Sequence, residues 1–350
     1  MEDNRFQFAV LTEKGKAVIK EDELPELGAD EVLIKQEACN ICTTDYQQWQ
    51  GKREHQGYPM AGGHECSGLI VKKGGLVSDN IEIGDHISVI YDYCGKCESC
   101  KKGKITNCEN IEQFGKNYST EYYGIFGFAN YFIRKEKSVV KISETLTATE
   151  GGFVEPLSSV IRGVKKLKIN SGIDNVVIIG AGTMGLLNAL VAKHFGANVT
   201  ISERNPKKVE KARRMGFKVY DVNEVDPVEE IYKDIKNGPD IVIIAVGTNS
   251  ANEQALKLIR EDEGKILFFA AGYPAPELDI DSNLIHYREF ELIGTYGSSL
   301  QDFKEAANLL SNKKINVKDL VEMTYPLSKI QQAFEKASTR GSYRVSVILN

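Results

Sequence analysis

Several things are missing from this 350-residue chain. It has no excess of basic charge, since 44 Lys and Arg stand against 49 Asp and Glu for a net of −5. Broad electrostatic attraction to nucleic acid or to anionic lipid is thereby disfavoured. It also has no long apolar run. The longest, Val176 to Ala192, is broken by Gly180, Gly182 and Gly185 and falls short of the ~20 apolar residues that span a bilayer, so no membrane-spanning helix is expected. The opening residues, Met1-Glu-Asp-Asn-Arg-Phe-Gln, carry no basic stretch followed by an apolar one, and no secretion signal is expected. No period of ~20–50 residues recurs, which sets aside solenoids, and no segment is compositionally simple.

What remains is the composition of a globular protein, 42% hydrophobic and 27% charged, long enough for two domains at the usual ~100–200 residues each. The seven cysteines are an odd number, and four of them crowd between Cys94 and Cys108. That pattern suits reduced thiolates on a metal better than a secreted disulfide framework, and points to a cytoplasmic, reducing compartment.

Local pattern divides the chain. The first ~150 residues hold short strand-like runs such as 31–36, 68–71, 87–90 and 132–134, separated by Gly, Asp and Asn turns. From about Glu155 strand-like runs alternate with amphipathic helical ones. Strands are expected at 176–179, 198–201, 218–220, 240–245 and 265–270, and helices at 184–195, 206–215, 228–237 and 252–259. Such alternation of Val/Ile-rich strands with helices is the signature of a parallel sheet covered on both faces. A further helix at 300–310 and a strand at 344–349 close the pattern.

Three groups of residues point to chemistry. The first is Gly180-Ala-Gly182-Thr183-Met184-Gly185, placed directly after an apolar strand and opening a helix. The first glycine permits the tight turn, the second lets backbone approach a pyrophosphate, and the third lets helix pack on strand, leaving helix N–H groups aimed at phosphate. Glu203, 18 residues after Gly185, stands where an acid accepts hydrogen bonds from the adenosine ribose, which favours NAD over NADP. Arg204 follows at once and can stack on adenine or pair with a 2′-phosphate, so NADP stays possible. A bare strand-to-helix turn would carry the same glycines, but not the acid in register.

The second group is Cys94, Cys97, Cys100 and Cys108. Two-residue gaps let neighbouring sulfurs converge from one turn, and four thiolates close a tetrahedral zinc site with no position left for substrate, so its role is structural. The third is dispersed: Cys42-Thr43-Thr44-Asp45, Gly62-Gly63-His64-Glu65 and Phe153-Val-Glu155-Pro156. Each is weak alone. Together they offer a thiolate, an imidazole and carboxylates, the ligand types that hold a catalytic zinc with one exchangeable position.

With these motifs in this order, the sequence resembles the zinc-dependent medium-chain dehydrogenase/reductases across essentially its full length, most closely the sorbitol (polyol) and threonine dehydrogenase branch. The resemblance implies an α/β protein: a GroES-like β-barrel catalytic domain with a structural zinc lobe over residues 1–154, a Rossmann doubly wound parallel sheet over 155–294, and a C-terminal segment, 295–350, that returns to the catalytic domain. It implies Cys42 and His64 as catalytic zinc ligands, Glu65 as a carboxylate able to coordinate directly, and Glu155 as the exchangeable or water-linked ligand. Thr44 matches the hydroxyl that takes the alcohol proton. It further implies two zinc ions per chain, one catalytic and one structural, a small hydroxylated substrate, and a homodimer or homotetramer.

Two departures stand out. Thr43 replaces the glycine usual after the zinc cysteine, and Gln47 stands where threonine dehydrogenases typically have histidine. The leading expectation is therefore an NAD(H)-linked polyol or sugar-alcohol dehydrogenase in which zinc acts as Lewis acid. A threonine 3-dehydrogenase is disfavoured by Gln47. A non-catalytic nucleotide- and zinc-binding protein is disfavoured by the full Cys42, His64, Glu65 and Glu155 set. Lys52, Arg53 and His55 lie between the zinc motifs, and a solvated basic loop is their simpler reading.

Overall fold

The computed structural model describes residues 4–54, 56–111 and 115–349. The chain divides into two compact units, one formed by residues 1–158 and 297–350, the other by 159–296.

The first unit begins with β1 (Arg5–Glu13), β2 (Lys16–Glu23), β3 (Glu31–Ile41), α1 (Thr43–Trp49), β4 (Glu65–Lys73), β5 (His86–Val89), α2 (Glu98–Lys101), β6 (Tyr131–Lys135), β7 (Val139–Lys141) and α3 (Ala148–Gly151). Helix α4 (Val154–Leu167) carries the chain across the boundary between Ser158 and Ser159. Its Pro156 sits in the first turn, where a missing N–H costs no intrahelical bond.

The second unit follows with β8 (Asn175–Ile179), α5 (Thr183–His194), β9 (Asn198–Glu203), α6 (Pro206–Arg214), β10 (Lys218–Asp221), α7 (Pro227–Asp234), β11 (Ile241–Ile244), α8 (Asn249–Leu258), β12 (Lys265–Phe268), α9 (Ser282–Arg288) and β13 (Glu291–Gly294). The chain then returns to the first unit as α10 (Leu300–Ser311), β14 (Val321–Pro326), α11 (Ile330–Ala337) and β15 (Arg344–Ile348).

In the second unit all six strands run parallel in the order β10-β9-β8-β11-β12-β13. Counted along the chain this is 3-2-1-4-5-6, the doubly wound order whose reversal, here between β8 and β11, makes a crevice at the carboxyl ends of the strands. Val176, Val177, Ile178, Ile241, Val242 and Ile243 are almost wholly buried, as a sheet covered on both faces requires. Helix starts are written locally: Asn205 and Asp226 cap α6 and α7, each followed by a proline whose fixed φ suits the first helical position. Strands β8 to β12 fall where the apolar runs place them. Strand β13 and helix α9 have no strong pattern, because β13 is a short, half-exposed edge and α9 buries no residue.

The first unit holds a seven-stranded sheet, β14-β15-β3-β4-β5-β7, with β6 also pairing β3, and the separate hairpin β1–β2. The closing strand lies in this unit: β15 pairs antiparallel with β3, Val345 opposite Ile41 and Ser346 opposite Asn40, while Asn40 faces Glu65 of β4 on the other side. This three-strand register sets the site described next. One apolar cluster, including Ile34, Cys39, Ile41, Cys66, Phe128, Phe334 and Val345, fills the interior beneath it. A second is built on aromatic rings, with Phe6 stacked on Phe8 and Phe126 on Phe132 at 5.0 and 4.8 Å between centroids. Among the described residues no helix is long and apolar enough to cross a membrane.

Candidate functional site

Strand β3 runs out at Ile41, and Cys42 becomes the N-cap of α1. Its sulfur accepts the N–H of Thr44 at 3.1 Å, while Asp45 Oδ2 accepts the N–H of Cys42 at 2.9 Å. This reciprocal capping box fixes the direction of the sulfur. Thr43 takes the first helical position, which needs none of the freedom of a glycine. In the loop before β4 Gly63 has φ +92°, and a Cβ there would lie 2.9 Å from the Phe128 ring and 3.0 Å from Cys39 Sγ, so only glycine lets the chain turn into β4 at this place.

That turn delivers His64 to Cys42. His64 Nε2 lies 3.2 Å from Cys42 Sγ, and its other nitrogen, Nδ1, lies 3.5 Å from Asp45 Oδ1. A carboxylate behind the imidazole orients the ring and raises its basicity. The ligand atoms of Cys42, His64 and Glu65 all lie within 4.8 Å of one another.

Glu65 is almost fully buried, and Arg344 of β15 grips it with two parallel bonds, Nε to Oε2 at 2.8 Å and Nη2 to Oε1 at 2.5 Å. Burial pushes Glu65 up to about 7 even though Arg344 pulls it down. Burial likewise raises the Cys42 thiol, with Asp45 adding to it against the opposing pull of His64. For His64 burial opposes the charged form, but Cys42 and Asp45 outweigh it and hold the ring well above the ordinary imidazole value. Without a cation this cluster retains protons, and metal uptake must expel them. Glu155, at the start of α4, lies outside the three-residue group; the Tyr91 hydroxyl donates a hydrogen bond to its Oε1. His55 lies outside the described residues.

The four cysteines 94, 97, 100 and 108 converge, with ligand atoms within 4.8 Å of one another. The Sγ–Sγ separations of Cys94–Cys100 and Cys97–Cys108 are both 4.0 Å. That is far beyond a disulfide bond and close to the ~3.8 Å edge of a tetrahedron with Zn–S of ~2.3 Å. Backbone N–H groups of Lys96 and Cys97, at 3.5 and 3.4 Å, lower Cys94 to about 6. Cys100 is pushed up to about 12 by burial and by its thiol neighbours. Four such thiols cannot all ionise without a cation among them.

In the second unit the loop after β8 has the shape its glycines require. Gly180 has φ +99°, and a Cβ on Gly185 would fall 1.9 Å from the Gly180 carbonyl oxygen, so helix and turn meet only through glycine. Gly182 caps α5 without a side-chain bond, so no capping side chain stands between this helix start and an approaching anion. Lys208 Nζ approaches within 3.4 Å of where a Gly182 Cβ would stand, bringing a positive charge to that helix start. Glu203 is buried and accepts three backbone N–H bonds, from Ala181 at 2.6 Å and from Arg204 and Asn205 at 2.8 Å each. Arg204 is exposed beside it.

Residues 28–144 match the alcohol dehydrogenase GroES-like domain and residues 183–312 match the zinc-binding dehydrogenase family. The chain belongs to the zinc-dependent medium-chain dehydrogenase/reductases. It is 28% identical to a sorbitol dehydrogenase of Halalkalibacterium halodurans over 343 residues, covering 95% of each chain. It is 27% identical to a D-arabitol-phosphate dehydrogenase of Enterococcus avium, covering 93% of this chain and 92% of the relative. A protein from Sinorhizobium meliloti 1021 assigned as a zinc-binding dehydrogenase, solved with NADP bound, superposes with a TM-score of 0.88 at 27% identity, covering 98% and 99% of the two chains. The first unit is thus GroES-like and the second Rossmann-like.

In this dehydrogenase the sequence candidates Cys42, His64 and Glu65 meet, and so do the four lobe cysteines, both with donor sets suited to zinc. Thr44 lies beside Cys42 through its backbone, and Glu155 is held by Tyr91. Three contributors carry no motif of their own, Arg344 behind Glu65, Tyr91 on Glu155, and Lys208 at the glycine loop, whereas Asp45 behind His64 closes the Cys42–Asp45 motif. Asp45 alone had a local signal, as the acid three residues after a helix cap.

Proposed function

We propose that this dehydrogenase interconverts a secondary alcohol of a polyol, sugar alcohol or sugar derivative with its ketone, with NAD(H) as hydride partner. The observation that carries the reading is the Cys42–His64–Glu65 set, three protein ligands of the mixed kind that leave a tetrahedral ion one further position. Zinc held there supplies a Lewis acid for the substrate oxygen, and the nicotinamide supplies the hydride acceptor.

The rest falls to the chain. Asp45 fixes the tautomer and orientation of His64. Arg344 keeps the Glu65 carboxylate ionised and turned inward. Glu155, aligned by Tyr91, stands as the water-linked carboxylate. Thr44, whose hydroxyl both donates and accepts, moves the alcohol proton outward. Gly180, Gly182, Thr183, Met184 and Gly185 take the pyrophosphate, Glu203 takes the ribose, and Arg204 lies beside the adenine. The sorbitol and D-arabitol-phosphate dehydrogenases among the relatives support a polyol-type substrate, and the NADP-bound relative requires both cofactors to be tried. The exposed edge of the six-stranded sheet at β13, with Tyr287 and Tyr296 exposed nearby, supports a homodimer or homotetramer.

The test is a panel of polyols, sugar phosphates and threonine assayed with NAD and NADP by the absorbance of the reduced cofactor. Turnover of a polyol class with NAD is expected, and threonine as the best substrate would contradict the reading. In the same assay Glu203→Ala, which removes a charged acceptor worth ~1.5–3 kcal/mol, should raise KM for NAD by roughly tenfold or more. It should leave KM for NADP unchanged or lower it, because a carboxylate faces the 2′-phosphate in the wild type. An equal rise for both cofactors would mean that Glu203 only braces the loop.

A further inference from the structure

We infer that the segment opening α10 ties the four-cysteine lobe to Glu155, so that the lobe acts as a positioning element for the active site and Thr106 and Ser298 are positioning residues. The inference rests on the reading of Glu155 given above.

Thr106 lies in the lobe between Cys100 and Cys108. Its hydroxyl donates to the Ser298 carbonyl at 3.0 Å and accepts the Ser298 N–H at 2.9 Å, a reciprocal clamp across 192 residues of sequence. The clamp is close: a Cβ on Gly297 would lie 2.4 Å from Thr106 Oγ1. Ser298 Oγ lies 2.7 Å from Ser158 Oγ, and the Ser158 hydroxyl donates to the Glu155 carbonyl at 2.6 Å. Because Ser158 spends its one proton on Glu155, Ser298 is the donor to Ser158. Both serines are almost fully buried, so water cannot stand in for a lost partner.

The same segment reaches the other end of Glu155. Ser299 caps α10, and Phe303 in its first turns packs edge-on against Tyr91 at 5.3 Å between ring centroids. Tyr91 in turn donates to the Glu155 carboxylate. Backbone and side chain of Glu155 are therefore both set by residues 298–303, and those residues are set by Thr106. A lobe that closes on its own metal delivers Thr106 to Ser298; a lobe that loses it releases the clamp.

The experiment compares wild type with Thr106→Val, which keeps shape and loses the hydroxyl, Thr106→Ser, which restores it, Cys97→Ser, which opens the lobe, and the Thr106→Val/Cys97→Ser double variant. Three quantities are read: kcat on a polyol, KM for NAD, and the visible bands of cobalt(II) loaded at Cys42 and His64. Thr106→Val should lower kcat about tenfold, in the range for outer partners of metal ligands, shift the cobalt bands and leave KM for NAD unchanged. Thr106→Ser should recover both. Cys97→Ser should give the same band shift, and the double variant no more than the larger single effect. Wild-type cobalt bands in Thr106→Val, or effects of the two substitutions that add, would overturn the inference. Should the wild type oxidise no polyol, the dehydrogenase reading falls while the cobalt comparison still decides this one.

Discussion

Cys42→Ala and His64→Ala should each cut polyol oxidation by about a thousandfold or more, the kinetic equivalent of the several kcal/mol a metal Lewis acid contributes. Each removes one of the three ligands that converge among the described residues, and what remains is a pair that cannot hold an ion against water. The loss should be specific to one site. The four-cysteine lobe is a separate group of ligands, so metal analysis should find one of the two sites emptied and the other filled. Asp45→Asn supplies a graded control. It leaves all three ligands in place but weakens the carboxylate behind His64 Nδ1, and losses of ~10–100-fold in metal affinity or rate are expected for such an outer partner. If Cys42→Ala kept wild-type turnover with its metal content verified, the catalytic assignment would fail.

Arg344→Met should have the largest effect on stability. It leaves Glu65, only 1% exposed, as a buried carboxylate without its cation, and breaking one partner of a buried pair costs ~3–5 kcal/mol. The cost depends on pH with a definite sign. Glu65 already titrates at about 7 in the folded protein against an ordinary value of 4.5, and loss of Arg344 raises it further. A carboxyl with a raised folded pKa contributes its full stability below the unfolded value and loses it as pH rises through the folded one. The deficit of Arg344→Met relative to wild type should therefore be small near pH 5 and grow steadily beyond about pH 7. Thermal unfolding of the metal-free proteins across that range measures it. A deficit that shrinks with rising pH would mean that the pair does not hold Glu65 ionised.

What could be read from the chain and what could not separate along sequence distance. The glycine loop, the helix caps and the four cysteines are local patterns: each needs only a few neighbouring residues, and each folds as its spacing dictates. The meeting of Cys42 with His64 and Glu65 was legible only through a resemblance, because nothing in either segment says that β3 and β4 pair with Asn40 opposite Glu65. Arg344 had no signal at all. It reaches Glu65 across 279 residues of sequence, and only the register of β15 on β3 puts it there. Thr106 and Ser298 are the same case, two ordinary hydroxyl residues made significant by topology. Glu203 shows a further limit: its place at the end of β9 was readable, but its three backbone partners, one of them in the glycine loop, were not.

On this reading the Cys42–His64–Glu65 set does chemistry only with a metal in it, on a hydroxylated substrate beside a nicotinamide. The most direct measurement is the rate of NAD reduction with a polyol such as sorbitol before chelation, after chelation at mildly acid pH, where the site takes back its protons, and after zinc is returned. The rate should vanish with the labile metal and recover with one equivalent of zinc. A rate indifferent to removal of that metal would contradict this reading.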